Sequence, residues 1–147
     1  MNRAVGFFFL LLLGGILAGC QRPAPPRLLL DGASFVLRGT WEADLDTAKE
    51  EASAKSDVWW EQVSDTERYW VPRNGARFAA MGTSEPTDAL CRQTALSEER
   101  IDGSVGPTNR IPTGSFLCAR TAEGHLAIVK VENYGWALTL RVWVWDR

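Results

Sequence analysis

The chain predicts a mainly β protein: a small antiparallel sandwich or barrel-like sheet with a C-terminal meander and one or two short helices. Short aromatic and β-branched runs, punctuated by Gly, Pro and Asn, outnumber stretches of helical periodicity. The last third carries three such runs in succession, Ser115 to Arg120, His125 to Val131 and Ala137 to Trp145, joined by turns. Three consecutive antiparallel strands make a meander.

Phe35-Val36-Leu37 opens the strand series. After Gly39, Trp41, Ala43 and Leu45 point one way and Glu42, Asp44 and Asp46 the other, the period of a half-buried strand. Thr47 to Glu50 resembles a capping box, but the stretch to Lys55 lacks an apolar stripe and reads equally as a surface helix or a loop. Val58-Trp59-Trp60 and Arg68 to Val71 are further strands. Asn74-Gly75 is a turn dipeptide, followed by a strand from Ala76 to Met81. Thr87 to Ala95 predicts a short helix with Leu90 and Cys91 on one face, and Gly103 to Pro112 a loop. Gly124 and Gly135 supply the positive φ that the meander turns need.

An unbroken apolar stretch from Val5 to Ala18 follows Arg3 and ends in Leu17-Ala18-Gly19-Cys20. It is short of the ~20 apolar residues a membrane span requires. The pattern resembles the signal peptide and lipobox of a bacterial lipoprotein, in which Cys20 takes the lipid. That resemblance implies cleavage before Cys20, acyl chains on its sulfur and an extracytoplasmic, membrane-anchored protein. Gln21 in place of an aspartate implies the outer membrane if the cell is Gram-negative, and otherwise the outer face of the cell membrane. Residues 1–19 are then a signal peptide, 20–34 the lipidated cysteine and a Pro-rich tether, and 35–147 a single β-rich domain. The prolines of the tether favour an extended, semi-rigid spacer.

Removal of 1–19 takes away one charged residue, Arg3, and turns a formal net charge of −2 into about −3. No basic patch stands out, which excludes nucleic acid as a partner. Cys91 and Cys118 remain after Cys20 is assigned to lipid. Two thiols and His125 lack a fourth ligand and the paired spacing of zinc sites, and there is no C-x-x-C. An oxidising compartment makes the pair a disulfide, for which chain entropy gives a loop of this size about 3.5 kcal/mol.

Several stretches in order resemble a family of small, functionally uncharacterised extracytoplasmic bacterial domains: Asp44-Leu45-Asp46-Thr47, Asp57-Val58-Trp59, Asn74-Gly75-Ala76, Cys91, and Gly114 to Thr121 with Glu123-Gly124. The resemblance spans roughly residues 35–145 and implies no activity. Ala48 departs from it, standing where a glycine is expected after the Asp-Leu-Asp-Thr run.

Candidate sites are few. In the last strand Leu138, Leu140, Val142 and Val144 form an aliphatic core face, which turns Arg141, Trp143 and Trp145 outward as a candidate binding face. Most of the seven tryptophans are expected in the core. Asp44 and Asp46 lie on one strand face, close enough to share a cation if Asp57 or Asn74 joined them; without EF-hand spacing they read as its solvated side, so no metal and no cofactor are assigned. His125 is expected in solvent, and no nucleophile elbow or carboxylate pair points to an enzyme. The expectation is a monomeric envelope lipoprotein serving as a protein-interaction or structural module. The alternative is glycan binding through exposed tryptophans, with an envelope hydrolase behind it. Its partners would be membrane lipid, through acylated Cys20, and an envelope protein or glycan.

Overall fold

The computed structural model describes residues 24–146; the expected signal peptide, Cys20 and the first tether residues lie outside them. In chain order the elements are β1 (Leu28–Leu37), β2 (Glu42–Asp44), β3 (Lys49–Glu50), β4 (Val58–Gln62), β5 (Arg68–Pro72), β6 (Arg77–Gly82), α1 (Asp88–Gln93), β7 (Ile101–Asp102), β8 (Phe116–Arg120), β9 (Leu126–Asn133) and β10 (Leu138–Trp145). Two antiparallel five-stranded sheets result, ordered β1-β10-β9-β8-β6 and β3-β2-β4-β5-β7. Both stay open, which selects the sandwich over the barrel.

The main core lies between the sheets. Trp60 and Trp70 from the second sheet meet Phe78, Leu117, Val129, Leu140 and Val142 from the first. Trp70 sets its edge on Phe78 with centroids 5.3 Å apart, the arrangement the ring quadrupoles favour. The aliphatic side of β10 is fully buried, as its alternation predicts. The β8-β9-β10 meander also forms as expected. Asn74 and Gly75 both take positive φ in the turn that carries the chain from β5 to β6 and so from one sheet to the other. The Asn74 side chain donates to the carbonyls of Ser53 and Ser56 at 3.1 and 2.8 Å, which pins that crossing.

Four expectations change. β1 begins at Leu28, inside the stretch assigned to the tether, and pairs with β10 from Leu28↔Trp145 to Leu37↔Leu138. Asp31-Gly32 forms an irregularity in that strand. The two residues stand opposite Trp143 alone, between the pairs Leu30↔Val144 and Ala33↔Val142. Such a two-against-one bulge bends an edge strand without ending it. The Trp41 to Asp46 strand shortens to β2. The Thr47 to Lys55 segment is neither helix nor open loop at its start. It turns tightly, with Ala48 at φ +51°, into the two-residue strand β3. Finally, Thr87 caps α1 by accepting from the Leu90 amide at 3.1 Å, but only Cys91 is buried and Leu90 faces solvent.

Candidate functional site

Trp143 and Trp145 emerge on the outer face of the first sheet, two residues apart along β10. There they rest on a second, small cluster of Cys91, Phe116, Cys118, Leu126 and Ile128. The Cys91–Cys118 disulfide, with Cα atoms 5.3 Å apart, fastens α1 to β8 across this face. A six-residue helix cannot sustain itself in water, so the covalent link and the cluster hold α1 in place. Between the entry to α1 and β10 runs a groove of about 560 Å³, lined by Glu85, Pro86, Thr87, Asp88, Ile128, Trp143 and Trp145. Its size is that of a small-molecule or oligomer subsite.

The bulge in β1 shapes one side of this face. A Cβ on Gly32 would come within 3.2 Å of Trp143 Nε1, so the missing side chain lets the indole lie close to the strand. Arg141, expected beside the tryptophans as part of one binding surface, is engaged by Glu132 and by Gly32, the residue against which the Trp143 indole lies. Its Nε donates to Glu132 Oε1 at 2.6 Å and its NH1 to the Gly32 carbonyl at 3.2 Å. The tryptophans line the groove; Arg141 supports the strand beside it.

Only Trp60 and Trp70 of the seven tryptophans are completely buried, fewer than expected. Trp41 and Trp136 are 44% and 55% exposed; Trp41 belongs to the β1–β2 turn, and Trp136, from the β9–β10 turn, reaches it at Gly39. Arg38 lies over Trp41 at 4.0 Å from the ring centroid. A Cβ on Gly39 would fall 2.8 Å from Trp136 Cε2, so only glycine admits that indole. Alternation places Trp41 on a strand face with Ala43 and Leu45, but β2 starts at Glu42 and leaves Trp41 exposed in the preceding turn.

The carboxylates depart furthest from expectation. Asp44, expected on the solvated side of its strand, is 1% exposed, and Asp57 is 0% exposed. Asp57 Oδ2 accepts from the Leu45 amide at 2.7 Å and its Oδ1 from the Ala122 amide at 2.6 Å. One side chain thus ties the β2–β3 turn to the β8–β9 turn. Asp44 Oδ1 accepts from the Asp46 amide at 2.8 Å. Burial pushes the Asp57 carboxyl up to about 7, opposed by those two amides and reinforced by Asp46 and Asp44. Burial also raises Asp46, opposed by the hydrogen bond to His125 Nδ1 and by the nearby Thr121 side chain. His125, expected in solvent, is half-buried, with Nδ1 2.8 Å from Asp46 Oδ1. Lys55 beside Glu123 holds that carboxyl below its ordinary range.

The chain has no significant match among protein-family models, curated proteins or solved structures. Among the described residues no helix is long and apolar enough to cross a membrane.

Proposed function

We propose that this protein is a lipid-anchored, extracytoplasmic module that binds glycan chains in the groove between α1 and β10. The observation that carries the reading is the pairing of two half-exposed indoles with the acidic rim residues Glu85 and Asp88 around one concavity. The C–H face of a sugar ring meets the negative face of an indole favourably. Carboxylates at the rim accept hydroxyl hydrogen bonds and set the orientation. The Leu17-Ala18-Gly19-Cys20 run and the Pro-rich segment behind it support the anchor. Leu28 pairs with Trp145, so the eight steps from Cys20 would hold that end of the groove within about 25 Å of the lipid. This favours a ligand of the envelope itself.

Titration of intrinsic fluorescence with soluble cell-wall fragments and surface polysaccharides tests the reading. A saturable change is expected, weakened at least tenfold by Trp143→Ala and by Trp145→Ala. No saturable change with any glycan would sink it. The anchor has its own test: a fatty-acid probe should label the wild type and not Cys20→Ala.

Exposed Trp41 and Trp136 with Arg38 favour a second reading, a protein partner at the opposite end of β10. Trp and Arg are the residues enriched at interface hot spots. Pull-down from solubilised envelope that survives Trp143→Ala but fails in Trp41→Ala or Trp136→Ala would support it.

A further inference from the structure

The β2–β3 turn brings Asp44 and Asp46 against Asp57, which immediately precedes β4. Each offers one oxygen, and the three lie within 4.8 Å of one another. Oxygens bound to a common calcium ion at about 2.4 Å cannot lie further apart than that. The cluster is poorly compensated. Among the described residues no Lys or Arg forms an ion pair with any of the three. Lys55 is held by Glu123 at 2.8 Å, and His125 engages only Asp46 Oδ1.

A separate observation points to a missing positive group. The Asp46 side chain is 8% exposed, yet its Oδ2 is buried without any hydrogen-bond partner. A buried carboxylate oxygen with no donor is unfavourable, and a cation in front of it removes the penalty. Asp57 spends one lone pair of each oxygen on the amides of Leu45 and Ala122, which leaves others free.

We propose that Asp44, Asp46 and Asp57 form a binding site for a divalent cation of the calcium type. The donors are all oxygens, which suits a hard ion rather than zinc or copper. Magnesium gives up its waters reluctantly, and two of the three carboxylates are closed off from solvent. The neighbouring group of Asp46, Glu123 and His125 also has suitable spacing, but there Lys55 already pairs with Glu123 and His125 already occupies Asp46 Oδ1. With calcium bound, the β2–β3 turn would be fastened to the β8–β9 turn by charge as well as by the two amide hydrogen bonds of Asp57.

The purified full-length chain, stripped with a chelator, is titrated with calcium, magnesium or zinc while the melting midpoint and binding heat are recorded. Calcium should raise the midpoint saturably, with half-effect near 10⁻⁴–10⁻³ M, the range of extracellular modules; magnesium should act at least tenfold more weakly. Asp46→Asn keeps an oxygen toward His125 and should lower calcium affinity at least tenfold, without lowering the midpoint of the stripped protein. His125→Ala should leave calcium affinity unchanged. No saturable calcium effect, or one that Asp46→Asn leaves intact, overturns the site. A calcium effect abolished by His125→Ala overturns the assignment to Asp44, Asp46 and Asp57 by moving the ion to the neighbouring group.

Discussion

On its inner side β10 sends Leu138, Leu140, Val142 and Val144 into a core shared by both sheets. On its outer side Trp143 and Trp145 rest on a cluster of five buried residues. The inner side is sealed, and its loss would be felt by every strand. The outer side is small, depends on one disulfide and leaves part of each indole in contact with solvent. On the proposed glycan reading, stability and binding fall on opposite faces of one strand, and substitutions should separate them.

The inner region should give the largest effect. Trp60 is fully buried, donates from Nε1 to the Trp136 carbonyl at 3.1 Å and meets Tyr134 edge to face. Trp60→Ala should cost about 4 kcal/mol in urea denaturation, as large aromatic truncations in cores do. A loss below about 1.5 kcal/mol would erase the distinction between the two faces.

The disulfide comes next, and its effect should be local as well as global. Replacing Cys91 and Cys118 together with serine should lower stability by about 3.5 kcal/mol. Hydrogen exchange in α1 should accelerate before that of β8 to β10, because the helix has little else to hold it. Uniform acceleration across the molecule would show that α1 is part of the main cooperative unit.

These contrasts also explain what was legible in the sequence. The faces of β10 follow from alternation between near neighbours and the meander turns from their glycines, although of Gly124 and Gly135 only Gly124 takes the expected positive φ. The sequence reading covers only Phe35 to Leu37 of β1, because the bulge at Asp31-Gly32 that lets the strand continue exists only opposite Trp143. Asp57 makes its contacts 12 and 65 positions away, so no local pattern could show that it is buried. One signal was present. Asp44, Asp46, Asp57 and Glu123, drawn from three separate motif stretches, all converge on the ends of the β2–β3 and β8–β9 turns. The sequence allows Asp57 to join Asp44 and Asp46, but only the fold brings the three carboxylates together.

Trp145→Ala sharpens the comparison from the outer side. A half-buried indole removes roughly 100 Å² from water, so the cost should be about 2 kcal/mol, half that of Trp60→Ala, while glycan affinity falls at least tenfold. Equal stability losses for the two variants, with binding intact, would assign both tryptophans to the same structural role.

The smallest expected effect lies at the β2–β3 turn, away from both faces of β10. Ala48 holds φ +51° and its amide donates to the Leu45 carbonyl at 3.3 Å, closing the turn that sets Asp44 and Asp46. For a residue with a Cβ this left-handed conformation costs roughly 1–2 kcal/mol. Glycine adopts it freely, but it brings a more flexible unfolded chain, worth about 0.4–1 kcal/mol against folding, and forfeits a buried methyl. The balance favours Ala48→Gly by about 0.5 kcal/mol, a rise of a few degrees in melting midpoint for a domain of this size. Because neither Trp60 nor the groove is touched, glycan affinity should not change. A lowered midpoint would mean that packing of the Ala48 methyl outweighs the backbone strain. A changed glycan affinity would mean that this turn and the outer face of β10 are coupled, and the separation drawn between them would fail.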